Sequence, residues 1–224
     1  VSAIPESELG WLRGLDLLAP DADLAVMADP ARVASAAAKA ADAWNADSPR
    51  KGVELAQAAL AESVHCPAAL TLLSLFVARD LAERVRFLRL AVAAGGDGGL
   101  ADLEARQHLA SALAVSGERE EAFTLWRAVL AADPADPTRA RVDFLDALVD
   151  AGRDGEARSV LDAFPDGADA RIAYVRALLA LRAGAADADA LLAAAVKANG
   201  FVPAYLAGDR KPPKTAPTAV EPGS

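Results

Sequence analysis

One stretch, from Leu103 to Pro134, constrains the chain most. Leu109, Ala110 and Leu113 fall on one face at helical spacing, and Gly117 then interrupts the pattern. Ala122, Trp126 and Leu130 resume it until Asp133-Pro134 stops it. The reading is a helix, a tight turn and a second helix. Neither helix can bury its apolar stripe alone, so each must pack on the other and on a neighbour.

The same punctuation returns further along. Gly152, Ala157 and Leu161 stand 35 positions after Gly117, Ala122 and Trp126. A helix–turn–helix period of about 34 residues is the tetratricopeptide period, and these residues resemble that family's pattern. Leu109 and Ala110 match its large-small pair, Gly117 its turn, Ala122 its close helix crossing and Pro134 its end. Small residues suit close backbones, and Gly or Pro suits a chain reversal. The fold this implies is all-α, an α-solenoid of antiparallel helix pairs wound as a right-handed superhelix.

Composition agrees with helices. Of 224 residues, 54% are hydrophobic but only 5% aromatic, so Ala and Leu supply the apolar surface. A net charge of −9 argues against a general nucleic-acid or anionic-membrane surface. Cys66 is the only cysteine, which excludes an intramolecular disulfide and suits a reducing, cytoplasmic setting. No apolar run approaches the roughly 20 residues that span a bilayer, and no leader pattern opens the chain.

In chain order, residues 1–28 read as a capping helix and loop, with Leu9, Trp11, Leu12, Leu15 and Leu18 on one short amphipathic helix. A repeat domain follows over 29–208. Asp29-Pro30, Ser48-Pro49, Cys66-Pro67 and Asp80 mark helix starts. Gly95 to Gly99 forms a break, Pro137 to Ala151 a helix, and Asp154 to Phe164 its partner. Further helices run from about Ala168 and from Asp187, the latter ended by Asn199-Gly200. Residues 209–224, rich in Pro, Thr and Lys, read as a disordered tail.

Two stretches are similar to a narrower group. Ala59-Leu60-Ala61-Glu62 leads to Cys66-Pro67-Ala68-Ala69 and Leu72-Leu73, and Asn199-Gly200-Phe201-Val202-Pro203-Ala204-Tyr205-Leu206 stands near the end. This pairing resembles the suppression-of-tumorigenicity family and its soluble bacterial relatives. The chain departs from that pattern at Ser74-Leu75-Phe76-Val77. The resemblance implies a helical scaffold with no established chemistry and no cofactor.

Catalytic and metal-binding constellations are sparse. His65, Cys66 and His108 are too few for a closed zinc site without carboxylates. A Cys–His nucleophile would lack a third orienting group. The glycines at 95, 96, 98 and 99 lack the strand and the Lys-Ser/Thr of a phosphate loop. Asp143, Asp146 and Asp150 share a helix face that could hold a cation or a basic peptide, although a solvated face is the ordinary reading. Trp126 belongs to the core, and Trp11 and Trp44 to core or cap; Tyr174 and Tyr205 are open to a binding role, though Tyr205 more readily seals the last helix pair.

The first helix of each pair would line a concave surface. Carried residue by residue, the tetratricopeptide pattern places Gln107, Ser111, Arg139, Val142 and Asp146 there, to bind a protein or peptide. Gln107 and Ser111 do not supply the Lys and Asn clamp that would hold a chaperone tail. The function expected is a non-catalytic adaptor. The alternative is an accessory subunit docked through Leu75, Phe76 and Val77.

Overall fold

The computed structural model describes residues 5–18, 23–95, 98–164, 169–206 and 208–209, and every regular element among them is helical. The chain divides into two compact units, Val1–Ala140 and Arg141–Ser224. The repeat domain expected over 29–208 therefore spans both. The tail beyond Asp209 and the central Gly96-Asp97 lie outside the described residues.

Unit 1 begins with α1 (Glu6–Gly14) and the single turn α2 (Leu24–Met27). It continues through α3 (Pro30–Trp44), α4 (Pro49–Glu62), α5 (Pro67–Phe76), α6 (Leu81–Ala94), α7 (Leu100–Ser116) and α8 (Arg119–Ala132). The start signals act through hydrogen bonds to otherwise orphaned backbone donors. Asp29 accepts from Ala31 N at 2.8 Å, Ser48 from Lys51 N at 3.3 Å and Asp80 from Glu83 N at 2.8 Å. Glu83 reciprocates by accepting from Arg79 N at 2.7 Å, and its carboxylate also takes the Arg79 guanidinium. That guanidinium, followed by the backbone N–H, holds the Glu83 carboxyl at a pKa of about 2.

Successive helices of unit 1 pack in pairs, α3 on α4, α5 on α6 and α7 on α8, while α5 also packs on α3 and α7. Small residues make the closest approach. Ala36, Ala40 and Ala43 of α3 are buried, as are Gly52, Ala56 and Ala59 of α4. A Cβ at Gly52 would stand 3.0 Å from the Ala43 carbonyl oxygen, so only glycine fits without displacing backbone. Helix α5 has neighbours on several sides, and Ala69 to Ser74 are all buried. Such a helix needs apolar residues all round rather than a stripe. Its polar turn is partly satisfied internally: Ser74 Oγ donates to the Thr71 carbonyl at 2.6 Å, while the buried Thr71 hydroxyl has no partner among the described residues.

Side chains of α1 meet those of α6. Trp11 meets Phe87 with ring centroids 4.7 Å apart, and the Arg86 guanidinium lies 4.2 Å from the Trp11 ring. The same guanidinium donates twice to the Glu8 carboxylate, at 2.7 and 3.2 Å. Trp44 is 41% exposed and donates to the Ala68 carbonyl at 3.2 Å.

Unit 2 contains most of α9 (Ala140–Asp150), then α10 (Asp154–Ala163), α11 (Ala170–Ala183), α12 (Ala188–Ala198) and the short α13 (Val202–Leu206). Helix α11 packs on α10 and closely on α12. Arginines fasten the unit to backbone carbonyls: Arg141 donates to Phe164 O and Arg158 to Leu179 O, both at 3.1 Å. Arg182 bonds Asp154 at 2.8 Å and reaches Val149 O at 3.4 Å.

The 35-residue recurrence is visible as repeated cap geometry. Gly117 and Gly152 have φ of +94° and +70°, in the left-handed region open to glycine. After each, the next N–H returns to a carbonyl five residues back: Glu118 to Leu113 at 2.9 Å and Arg153 to Leu148 at 2.8 Å. Ala122 and Ala157, 35 positions apart, are fully buried.

One helix start differs from the sequence expectation. The helix expected from Pro137 to Ala151 begins only at Ala140, as α9. Asp136 and Arg139 instead adopt φ of +53° and +59° in a turn closed from Arg139 N to Asp136 O at 3.0 Å. The Asp136 carboxylate accepts from Ala140 N at 2.7 Å, so it caps a helix displaced by three residues.

Candidate interaction cleft

The five residues expected on a concave face differ in burial and local setting. Gln107 is only 6% exposed, because its side-chain oxygen accepts from Trp126 Nε1 at 2.6 Å between α7 and α8. It belongs to the core and offers nothing to a partner. Ser111, one turn on, is half-buried and donates to the Gln107 carbonyl at 3.1 Å. Arg139 is exposed but stands in the turn before α9, not on its face. Val142 is 5% exposed and is a core residue. Asp146 alone lines a cleft.

That cleft lies within unit 2 and has a volume of about 370 Å³. Helix α9 contributes Asp146, Val149 and Asp150, spaced to share one face. Helix α11 contributes Arg171, Tyr174, Val175 and Leu178, and Asn199 and Val202 close the end. Arg171 donates to Asp146 in a short contact and reaches Asp143 at 3.5 Å. Burial works against its charge, but the hydrogen bond and fields of these aspartates prevail and raise its pKa. Tyr174 donates its hydroxyl to the Asn199 carbonyl at 2.8 Å, tying α11 to the end of α12. The Asn199 side chain accepts from Phe201 N at 3.0 Å, an Asx turn that sets the entry to α13. Asn199 thus ends α12, and Val202 follows at the wall.

The cleft brings apolar side chains together with the Asp146 and Asp150 carboxylates. Asp150 is exposed, and its carboxylate makes no hydrogen bond or ion pair among the described residues. Leu178 is 37% exposed although it lies among apolar neighbours. The sequence carried a sign of this surface. The core stripe of α11 is Ile172, Val175 and Leu179, so Leu178 and Leu181 are more leucine than one buried face requires.

The other chemical candidates do not assemble into a site. Cys66 is 2% exposed at the start of α5, and burial pushes its thiol pKa up. His65 is half-buried with Nδ1 shielded from solvent, and burial lowers its pKa. His108 is half-buried on α7. Among the described residues no group of three or more His, Cys, Asp or Glu side chains is placed to hold a metal ion, and no helix is long and apolar enough to cross a membrane. No family model, curated protein or solved structure matches the chain.

Proposed function

We propose that the chain is a non-catalytic protein-interaction scaffold of the cytoplasm, its helices arranged as the antiparallel pairs of a tetratricopeptide-like α-solenoid. The recurring cap at Gly117 and Gly152, with buried alanines five residues beyond each, supports the repeat reading. The resemblance of the Asn199–Leu206 stretch to the suppression-of-tumorigenicity family points the same way. The observation that carries the interaction reading is the cleft between α9 and α11. An accessible leucine lies there beside unfilled space, on a wall otherwise built for burial. The binding surface accordingly moves from Gln107, Ser111, Arg139 and Val142 to the neighbourhood of Asp146.

A second reading, an accessory subunit of a larger complex, draws on Phe76 at the end of α5. Phe76 is 52% exposed, and Leu75 and Val77 on either side are half-buried. Affinity capture from native cytosol with wild type, Leu178→Glu and Phe76→Ser separates the two. The scaffold reading expects a partner retained by wild type and Phe76→Ser and lost with Leu178→Glu. Loss confined to Phe76→Ser would favour the subunit reading, and retention by both variants would contradict both surfaces.

A further inference from the structure

The geometry points to the cleft between α9 and α11 as a seat for a peptide segment in which an apolar side chain adjoins a lysine or arginine. This rests on the scaffold reading and names the partner's chemistry. Val149, Val175, Leu178 and Val202 supply the apolar wall. Asp146 and Asp150 line the cleft, and Asp143 stands beside it through its contact with Arg171. Among the described lining residues Arg171 is the one cation, and it is already shared by Asp146 and Asp143. Nearby Arg182 is paired with Asp154. Two carboxylates therefore line the cleft with one guanidinium, which is engaged by Asp146, and the carboxylate left over at Asp150 favours an incoming positive charge.

The engaged groups narrow the choice further. The Tyr174 hydroxyl and the Asn199 side-chain oxygen are each committed within the unit, whereas the Asp150 carboxylate is open. An acidic peptide or a nucleic-acid phosphate would meet these carboxylates with like charge, on a chain whose net charge is −9. A bare metal ion would find no three-carboxylate cluster among the described residues. An apolar side chain covering Leu178, followed by a cation reaching Asp150, satisfies both halves of the cleft.

Fluorescence anisotropy on the full chain tests this with labelled peptides of one length, sharing the same leucines, whose polar positions are all Lys, all Gln or all Glu. A Lys peptide with its leucines replaced by glycine controls for charge alone. The Lys–Leu peptide should bind tightest and the Glu–Leu peptide weakest. Asp150→Asn, a conservative change at an exposed site, should weaken the Lys–Leu peptide about threefold and leave the Gln–Leu peptide unchanged. Equal binding of the Lys–Leu and Gln–Leu peptides, abolished by Leu178→Glu, would keep the cleft as a docking site and overturn its basic preference. Binding indifferent to Leu178→Glu would place the peptide elsewhere and remove the proposal and the cleft together. Equal binding of the glycine control, or no binding of any peptide, would overturn the proposal, while the capture experiment still judges the scaffold reading.

Discussion

Trp126→Ala is expected to cost unit 1 about 4 kcal/mol, within the range for deleting a large buried aromatic. Trp126 is 1% exposed, lies against Phe123 with ring centroids 6.3 Å apart and donates to Gln107 at 2.6 Å. Alanine removes the packing, leaves a cavity between α7 and α8, and takes from the buried Gln107 oxygen the indole donor it now accepts. Trp126→Phe, which keeps much of the ring but not the N–H, should cost about 2 kcal/mol and so separate the two contributions. Urea denaturation followed by far-ultraviolet circular dichroism gives both values. A loss below about 1 kcal/mol for alanine would mean that Trp126 does not organise this helix pair.

The second large effect comes from the paired alanines. Ala122 and Ala157 are fully buried, each five residues after a left-handed glycine. Replacing either with leucine forces a larger, branched side chain into a fully buried position, at a cost of about 2 kcal/mol. Ala128 lies exposed on α8, and Ala128→Leu should change stability by less than about 0.5 kcal/mol. Matched penalties at 122 and 157 would show that the sequence recurrence reflects one structural device used twice. A penalty at only one would break the equivalence.

Much of the architecture was readable because local chemistry and tertiary structure agree. Asp29-Pro30 and Ser48-Pro49 each join a capping side chain to a proline that tolerates the first helical turn, and both start helices where expected. Asp136-Pro137 carries the same letters with a different outcome. The Asp136 backbone is left-handed there, and its carboxylate serves a donor four residues on. Such a pair starts a helix at its proline only where the capping residue's own backbone is extended, as at Asp29 and Ser48, and not where it is left-handed, as at Asp136.

The groove residues were less legible. Helical spacing puts Gln107 and Ser111 on one face of α7, but it cannot reveal that the Trp126 indole reaches across to Gln107 and turns a polar side chain into a core element. Val142 shares its helix with Asp146, yet one is buried and the other lines the cleft. The opposing wall comes from α11 and the Asn199 turn, and periodicity within one helix carries no information about which distant helix faces it. The excess leucine on α11 was the available signal.

The most direct test of the account is amide hydrogen exchange on the full chain, alone and with the protein captured from cytosol. The account predicts slowed exchange in α9, in α11 and around Asn199 to Val202, with little change near Phe76. Protection confined to the end of α5, or spread over helices of unit 1 while α9 and α11 exchange unchanged, would contradict the assignment of the cleft as the binding surface.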